Sequence, residues 1–450
     1  MSLYMEVKDE VTEVKLKKGY DLRLVGAIRS YFITPISCNE VAIIPDDYRG
    51  VVPRLDVKKG DNVVQGGVLF HDRKYADIVV TSPLTGIVKE VRRGDRRKIE
   101  SIIIEKGEAC EIKKFDLDND AKQVLLESGL WACMRQRPYD IVPLPDVTPR
   151  DIFITTFDSS PLAPDYLLLI KGKEQYVQRG IDVLATMTEG NVYMGVEKGR
   201  EVDFGNVIKI EIEGPHPAGN AGVQISNVKP VNKGEVVWAL DILTVARIGE
   251  LFSTGCVSYD TVVAVTGARV LTPKYIRTII GAPIADILAN NIKVQKGEAC
   301  IINGNVLTGK SSNLGDYLRY PYRHITVIDE NDSPAEFMGW ASLSLKKFSV
   351  YRSFFSWLNP NRKVNLDAKL NGGERAIVMS GEYDKMLPMD IYAEFLIKAI
   401  IAFDVEKMEQ LGIYEVAPED FALCEFADTS KLELQRIVRE GLDRLRREME

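Results

Sequence analysis

Hydrophobic residues recur along this chain with more than one period, and the changes of period divide it. From Val41 to Gly107 apolar residues come in short runs broken by turn formers. Val57, Val63-Val64 and Val68-Leu69-Phe70 are interrupted by Gly60-Asp61 and Gly66-Gly67. Pro83 and Gly86 bracket a tight turn between Ile78-Val79-Val80 and Ile87-Val88. Branched and aromatic residues fit a pleated surface, and glycine supplies the turn geometry, so this stretch predicts a β module. The strand-and-turn pattern of Val14 to Leu22 is assigned to the same unit, giving a first domain over residues 1–107.

Residues 108–140 read as a connector, with a helix from Asp120 to Gly129 and a stop at Arg135-Gln-Arg-Pro138. Between 141 and 266 the pattern alternates. Asp151–Phe157, Val192–Val196, Val207–Ile212 and Thr261–Thr266 are strand-like, whereas Gly172–Met187 and Leu240–Phe252 carry helical spacing. Strands alternating with helices predict a Rossmann-like α/β layer. Over 267–335, strands at Lys274–Gly281, Glu298–Asn305 and Arg323–Asp329 surround one short helix at Ala285–Asn290, which suggests a small β-grasp domain. Residues 336–450 are mixed as far as about 380 and then mostly helical, through Pro388–Phe403 and Val405–Leu411. The last helix is expected to open on a capping box at Ser430 and Glu433 and to bury Leu434, Val438, Leu442 and Leu445. The expected fold class is therefore a multidomain α+β and α/β chain with a helical C-terminal domain.

Composition narrows the function. The 450 residues suffice for about three domains, and 45% hydrophobic with 27% charged residues is ordinary globular composition. A net charge of −7 gives no electrostatic case for nucleic acid. The basic runs Arg92–Lys98 and Arg444–Arg447 are short, and the first reads as a solvated loop, a contact for an acidic partner surface being the alternative. The most apolar stretches are broken by Asp241, Arg247, Glu394 and Lys398, and the N-terminus has no signal-peptide core, so a soluble cytoplasmic protein is expected. Six scattered cysteines and three distant histidines (His71, His216, His324) lack zinc or iron–sulfur spacing. Reduced structural thiols and no metal site are the expectation.

Three segments carry candidate chemistry. Gly304-Asn-Val-Leu-Thr-Gly309-Lys310-Ser311 matches the P-loop pattern by letter, and Ile325–Asp329 imitates the strand that accompanies it. A P-loop needs a helix after the glycine loop, however, and here Gly315 and Pro321 leave no room for one; a hairpin fits better. Gly214-Pro-His216-Pro-Ala-Gly219-Asn-Ala-Gly222 follows a strand, where α/β domains often bind ligands. It reads either as a rigid connector or as a loop contacting a ligand or a neighbouring protein of an assembly, and its glycines make no dinucleotide fingerprint. The loop around Asp158, from Thr156 to Pro164, could close over a crevice at a strand end.

The β module resembles the biotinyl/lipoyl type of barrel-sandwich domain. Such modules present a lysine on a hairpin, but Lys74 lacks the usual neighbours and reads as a surface lysine, so no covalent cofactor is expected. The whole order of parts resembles the NqrA family, which contributes one component of the sodium-translocating NADH:quinone reductases. The residues that carry the likeness are Lys17–Leu22, the Gly60-Asp61 and Pro83–Gly86 turns, Asp158–Ala163, Gly214–Gly219 and Ala417–Phe426. The resemblance implies a barrel-sandwich module, a Rossmann-like layer, a β-grasp domain of the soluble-ligand-binding type and a helical C-terminal domain. It also implies a peripheral subunit on the cytoplasmic face, partnered by membrane and flavin-bearing subunits that hold the flavins, the Fe-S cluster and the NADH site. Related layouts in the RnfC component of the Rnf complex and in the flavoprotein component of complex I bind flavin, NADH or clusters. Here only Cys424 remains in the C-terminal domain and the flavin loop is missing. A quinone is the candidate ligand, with Asp158, Gly214, His216, Gly219 and Gly222 as candidate contacts. A P-loop nucleotide-binding protein is the runner-up, and a free-standing carrier built on the barrel module comes third.

Overall fold

A computed structural model describes residues 12–293, 299–331, 347–359, 361–370 and 373–449. Glu298, Gly372 and most of the mixed region before Lys347 lie outside the described residues. The chain opens with β1 (Thr12–Lys15) and β2 (Ile33–Pro35), followed by the module strands β3 (Glu40–Ile43), β4 (Pro53–Leu55), β5 (Asn62–Val63), β6 (Val68–Asp72), β7 (Val79–Thr81), β8 (Gly86–Arg93) and β9 (Ile99–Lys106). The module is two facing sheets, β3-β9-β8-β5 and β4-β6-β7. Leu69, Phe70, Val80, Val88, Ile102 and Ile104 fill the space between them.

Helix α1 (Ala121–Ser128) is capped by Asp120 and closed by Gly129 at φ +79. Strand β10 (Arg135–Arg137) follows, then β11 (Asp151–Thr155), α2 (Tyr166–Leu169), α3 (Glu174–Ala185), β12 (Val192–Glu197), β13 (Ile208–Glu213), α4 (Ala221–Val228), β14 (Val237–Asp241) and α5 (Ile242–Thr254). The sheet order is β1-β13-β12-β11-β14-β10, parallel except for β10. Side chains alternate across it as strand geometry requires. Ile152, Ile154, Met194, Trp238 and Leu240 join Val177, Ile181 and Leu184 of α3 in one core. Phe153, Ile210, Val237 and Ala239 face Ile225 of α4 in another.

A second six-stranded sheet holds β15 (Asp260–Thr266), β16 (Lys274–Ile279), β17 (Ala299–Asn303), β18 (Lys310–Ser312) and β19 (His324–Asp329), with α6 (Ile284–Ile287) beside them. Its order is β18-β17-β19-β15-β16-β2. The C-terminal region contains α7 (Tyr383–Met386), α8 (Ala393–Ala402), α9 (Val405–Gln410), α10 (Ala422–Ala427) and α11 (Leu434–Met449). Leu434, Val438, Leu442 and Leu445 are fully buried, as their spacing predicts.

Several sequence expectations are corrected. Strands β1 and β2 do not join the two sheets of the first module: β1 pairs in parallel with β13, and β2 with β16. Thr261–Thr266 extends the second sheet rather than the Rossmann-like one. The Arg135–Arg137 stretch is an edge strand, not a simple stop. Val237–Asp241 is a strand that periodicity missed, because a continuous apolar run does not distinguish a buried strand from a helix. The break is Asp241, whose side chain accepts the Thr244 N–H at 2.6 Å and starts α5 one residue later. The capping box at Ser430 does not form. Ser430 Oγ donates to Ala376 O, and Glu425 accepts the Gln435 N–H at 2.8 Å instead.

Candidate functional site

The strand order reverses between β11 and β14, whose last residues, Thr155 and Asp241, lie side by side. Open α/β sheets bind ligands in the crevice outside such a switch point. Here the crevice widens into a cavity of about 930 Å³. The other parts of the chain wall it in. Asp46, Asp47 and Arg49 come from the turn after β3, and Arg135, Arg137 and Asp140 from the β10 region. Lys310, Tyr320 and Tyr322 come from the second sheet, and Glu419, Gln435 and Arg439 from the C-terminal domain.

His216 is the most constrained polar group on this wall. It is 3% exposed, and its Nδ1 lies 3.0 Å from Ser159 Oγ. The Gly219 N–H donates to that same Oγ at 2.8 Å. The direction of the Oγ–Nδ1 bond follows the tautomer: with the ring proton on Nε2 the hydroxyl donates to Nδ1, and with it on Nδ1 the hydroxyl accepts. Nε2 is buried and has no partner among the described residues. Burial pushes the imidazole pKa down to about 4, so the ring is neutral at physiological pH. Its loop is held by the N-terminal segment: the His216 N–H donates to Asp21 Oδ1 at 2.9 Å, and the Tyr20 N–H donates to His216 O at 2.9 Å. Gly19, at φ +117, permits that approach, since a Cβ there would collide with His216 O. Lys17–Leu22 and Gly214–Gly219, far apart in sequence, thus form one structural feature.

Asp158 faces the same cavity. Burial lifts its carboxyl above the usual range although the Ser160 N–H donates to it at 2.7 Å. Gly219 also lines the cavity, whereas Gly214 packs against Leu16 and Gly222 against Asp420. Three of the five candidate contacts therefore meet, and the other two shape the loop from behind.

Sequence reasoning missed the charged rim. Arg137 is 2% exposed and reaches Glu419 at 3.1 Å, Asp140 at 3.6 Å and Asp420 at 3.8 Å. Surrounding protein raises the Glu419 carboxyl in spite of Arg137, while its side chain remains open to the cavity. Lys310 is held down to about 8 by burial and by the nearby charges of Arg319 and Arg49. The available signals were Arg135-Gln-Arg-Pro138 and Ala417-Pro-Glu-Asp, neither of which shows its partner in the sequence.

The P-loop reading is overturned. Gly304–Gly309 is the turn of the β17–β18 hairpin, with Lys310 paired opposite Asn303, and a strand rather than a helix follows. The amides that would wrap a phosphate are already occupied. Asn305 Oδ1 accepts from the Leu307 and Thr308 N–H groups, and Asn305 O accepts from Gly309 N–H. Asp329 pairs with Arg269 at 2.6 Å. Lys74 lies on the β6–β7 connection, its backbone N–H bonded to Asp72 Oδ2 at 2.9 Å. Among the described residues no group of His, Cys, Asp or Glu could hold a metal ion, and no helix is long and apolar enough to cross a membrane.

Comparison with known proteins gives the family. Residues 14–107 match the NqrA N-terminal barrel-sandwich hybrid domain, 117–257 the NqrA second alpha/beta domain, and 262–313 the NQRA C-terminal domain model of SLBB type. The NqrA subunit of the Na(+)-translocating NADH-quinone reductase of Hahella chejuensis is 35% identical, over 97% of this chain and 100% of its own length. The chain belongs to the NqrA family. Its counterparts from Shewanella amazonensis and Photorhabdus laumondii are 33% and 34% identical, each over 97% of this chain and 100% of their own. Among solved structures, an NAD+-reducing [NiFe]-hydrogenase in the H2-reduced state covers 41% of this chain and 41% of its own at 10% identity and a TM-score of 0.31, too slight a likeness to argue from. Family membership and the fold agree: barrel-sandwich module, α/β layer, SLBB-type sheet and helical tail are all present.

Proposed function

We propose that this chain is a peripheral subunit on the cytoplasmic face of a Na(+)-translocating NADH-quinone reductase and serves its quinone-reducing end. The complex couples NADH oxidation to sodium export, and the membrane and flavin-bearing subunits hold the flavins, the Fe-S cluster and the NADH site. The quinone head group enters the cavity at the ends of β11 and β14. The observation that carries this reading is the neutral His216, buried on the cavity wall with an unpartnered Nε2. A quinone carbonyl needs one or two fixed donors inside a slot with apolar walls. In the tautomer protonated at Nε2 the ring is such a donor, and Phe157, Tyr166, Leu240 and Tyr320 supply apolar surface around the same cavity.

The test is titration of the full chain with a short-tailed ubiquinone analogue, followed by NADH-dependent quinone reduction in the assembled complex. One buried neutral hydrogen bond contributes about 1 kcal/mol, so His216→Ala should weaken quinone binding about fivefold to tenfold. Ser159→Ala, which releases the tautomer but keeps the ring, should give a smaller loss. An unchanged dissociation constant in H216A, with the fold intact, would reject the site.

A further inference from the structure

The cavity leaves a second feature of the molecule unexplained. From Phe337 to Leu366 the sequence carries no Asp or Glu, although the chain as a whole is acidic, with a net charge of −7. The same stretch is rich in aromatic residues and contains Lys347, Arg352, Arg362 and Lys363. Its described part folds as an exposed turn. Phe355, Trp357 and Leu358 are 44%, 46% and 61% exposed, and the Arg352 guanidinium stands 5.4 Å from the centre of the Trp357 ring. Behind the turn lies a hollow of about 360 Å³, where Arg23, Lys347, Arg352 and Arg362 gather around Tyr20, Phe348 and Trp357. Asp21 is the one acidic wall residue among the described residues.

The flanks of the turn are fixed to the body of the protein. The Val25 N–H donates to Val364 O at 2.9 Å, and the Val364 N–H to Arg23 O at 2.7 Å. Arg23 also donates to Asn361 Oδ1 at 2.9 Å. Phe348 packs between Tyr20 and Phe426, with ring centres 6.2 and 6.1 Å away. Exposed Trp, Phe and Leu on a rigid turn, ringed by Lys and Arg, have the composition of a membrane-interface anchor. Aromatic rings settle at the headgroup level, and basic side chains add attraction to anionic lipid.

We propose that the Phe355–Leu358 turn and its surrounding Arg and Lys side chains dock this chain directly onto an anionic lipid bilayer. The apolar tip enters the headgroup layer, and the cationic hollow lies against lipid phosphates. The alternative occupant, an acidic protein surface of a membrane-embedded partner, would meet the cations equally, but the exposed Phe355, Trp357 and Leu358 at the tip favour lipid. The proposal is independent of what fills the cavity at β11 and β14.

The experiment is co-sedimentation of the full chain with phosphatidylcholine vesicles, with and without phosphatidylglycerol. Binding is expected only with phosphatidylglycerol, with release at high salt and a blue shift of tryptophan emission that Trp357→Phe removes. Arg352→Glu combined with Lys363→Glu should lower partitioning by about tenfold or more. Arg96→Glu with Arg97→Glu, a basic cluster on the β8–β9 connection of the module, should change it by less than about threefold. If the folded wild-type chain ignores phosphatidylglycerol vesicles, or the R352E/K363E variant binds as well as the wild type, the proposal is overturned. It fails equally if both pairs of reversals act alike, because attraction would then be diffuse. Trp357 reaching only protein in cross-linking of native membranes, never lipid, would also reject it.

Discussion

Asp47 offers a quantitative test of how the cavity is held together. It sits on the turn after β3, 7% exposed, and reaches across to the second sheet. Arg319 Nε donates to its Oδ1 at 2.7 Å, and the buried Tyr320 N–H donates to its Oδ2 at 3.0 Å. Burial raises the Asp47 carboxyl above its ordinary range even beside Arg319, so desolvation outweighs the attraction it receives. The pair as a whole therefore contributes little net stability, yet breaking it should be costly. Asp47→Ala leaves the Arg319 guanidinium largely buried without an anion and the Tyr320 amide without an acceptor. The expected loss is about 3–5 kcal/mol. Arg319→Met removes the opposite partner and should cost a similar amount. The double variant Asp47→Leu with Arg319→Met replaces both charges by apolar volume and should recover most of either loss, to within about 1–2 kcal/mol of wild type. Urea unfolding monitored by circular dichroism supplies the values, with two-state behaviour checked because the chain is multidomain. If D47A costs less than about 1 kcal/mol, or the double variant loses the sum of the singles, the reasoning is wrong.

Two further predictions concern the fold that positions the site. A Cβ on Gly249 of α5 would overlap Tyr176 O and stand 2.7 Å from Gly180 N of α3, so Gly249→Ala should destabilise by about 2–3 kcal/mol in urea melts, while Gly315→Ala, which faces open space, should change stability by less than about 0.5 kcal/mol. The two buried histidines should each contribute a loss of stability on mild acidification, opposed by the buried Glu419 carboxyl, whose pKa of about 7 favours the folded chain as pH falls. His216 and His324 have folded pKa values lowered by burial to about 4 and about 3, against about 6.5 unfolded, so between those values the unfolded chain binds the extra protons. Their contribution is complete above about pH 6.5 and is lost as pH falls towards the folded values, by up to about 3 kcal/mol for His216 alone. Urea midpoints of the wild type and of His324→Gln at pH 7 and pH 5 measure it, and a variant whose pH dependence matches the wild type would refute the assignment.

Where one element carried its own signal, the sequence was readable. The α3 stripe of Val177, Ile181 and Leu184 and the α11 stripe ending at Leu445 are both buried as spaced. The hairpin at Gly304–Lys310 could be told from a P-loop because Gly315 and Pro321 forbid the necessary helix. Signals failed where neighbours decide. Val236 to Phe252 is apolar almost throughout, so only the Asp241 cap separates strand from helix. Ser430 has the right residue three positions on, but Glu425 is closer to the α11 amides and takes the place. The site itself was half legible. Asp158, His216 and Gly219, which line one cavity, could be picked out as candidates because they sit on loops after strands, where α/β chemistry collects. Arg137 and Asp47 were not, because a buried ion pair is a property of two distant segments.

The placement of β1 and β2 explains why the cavity can exist at all. A chain of independent domains would meet across mobile linkers, and a pocket shared by all of them would have no fixed shape. Here β1 completes the α/β sheet beside β13, and β2 completes the second sheet beside β16, before the module between them and the rest of the chain has begun. The first strands thus pair into sheets built by later parts of the chain. Each hydrogen-bonded edge fixes one body against the next, and the Lys17–Leu22 segment between them pins the His216 loop on the way. A group aimed into a shared cavity needs positioning to within a fraction of an ångström to act on a ligand. The interleaving supplies that rigidity through backbone pairing, which allows the rim side chains to be charged, mutually opposed and costly to bury without loosening the site.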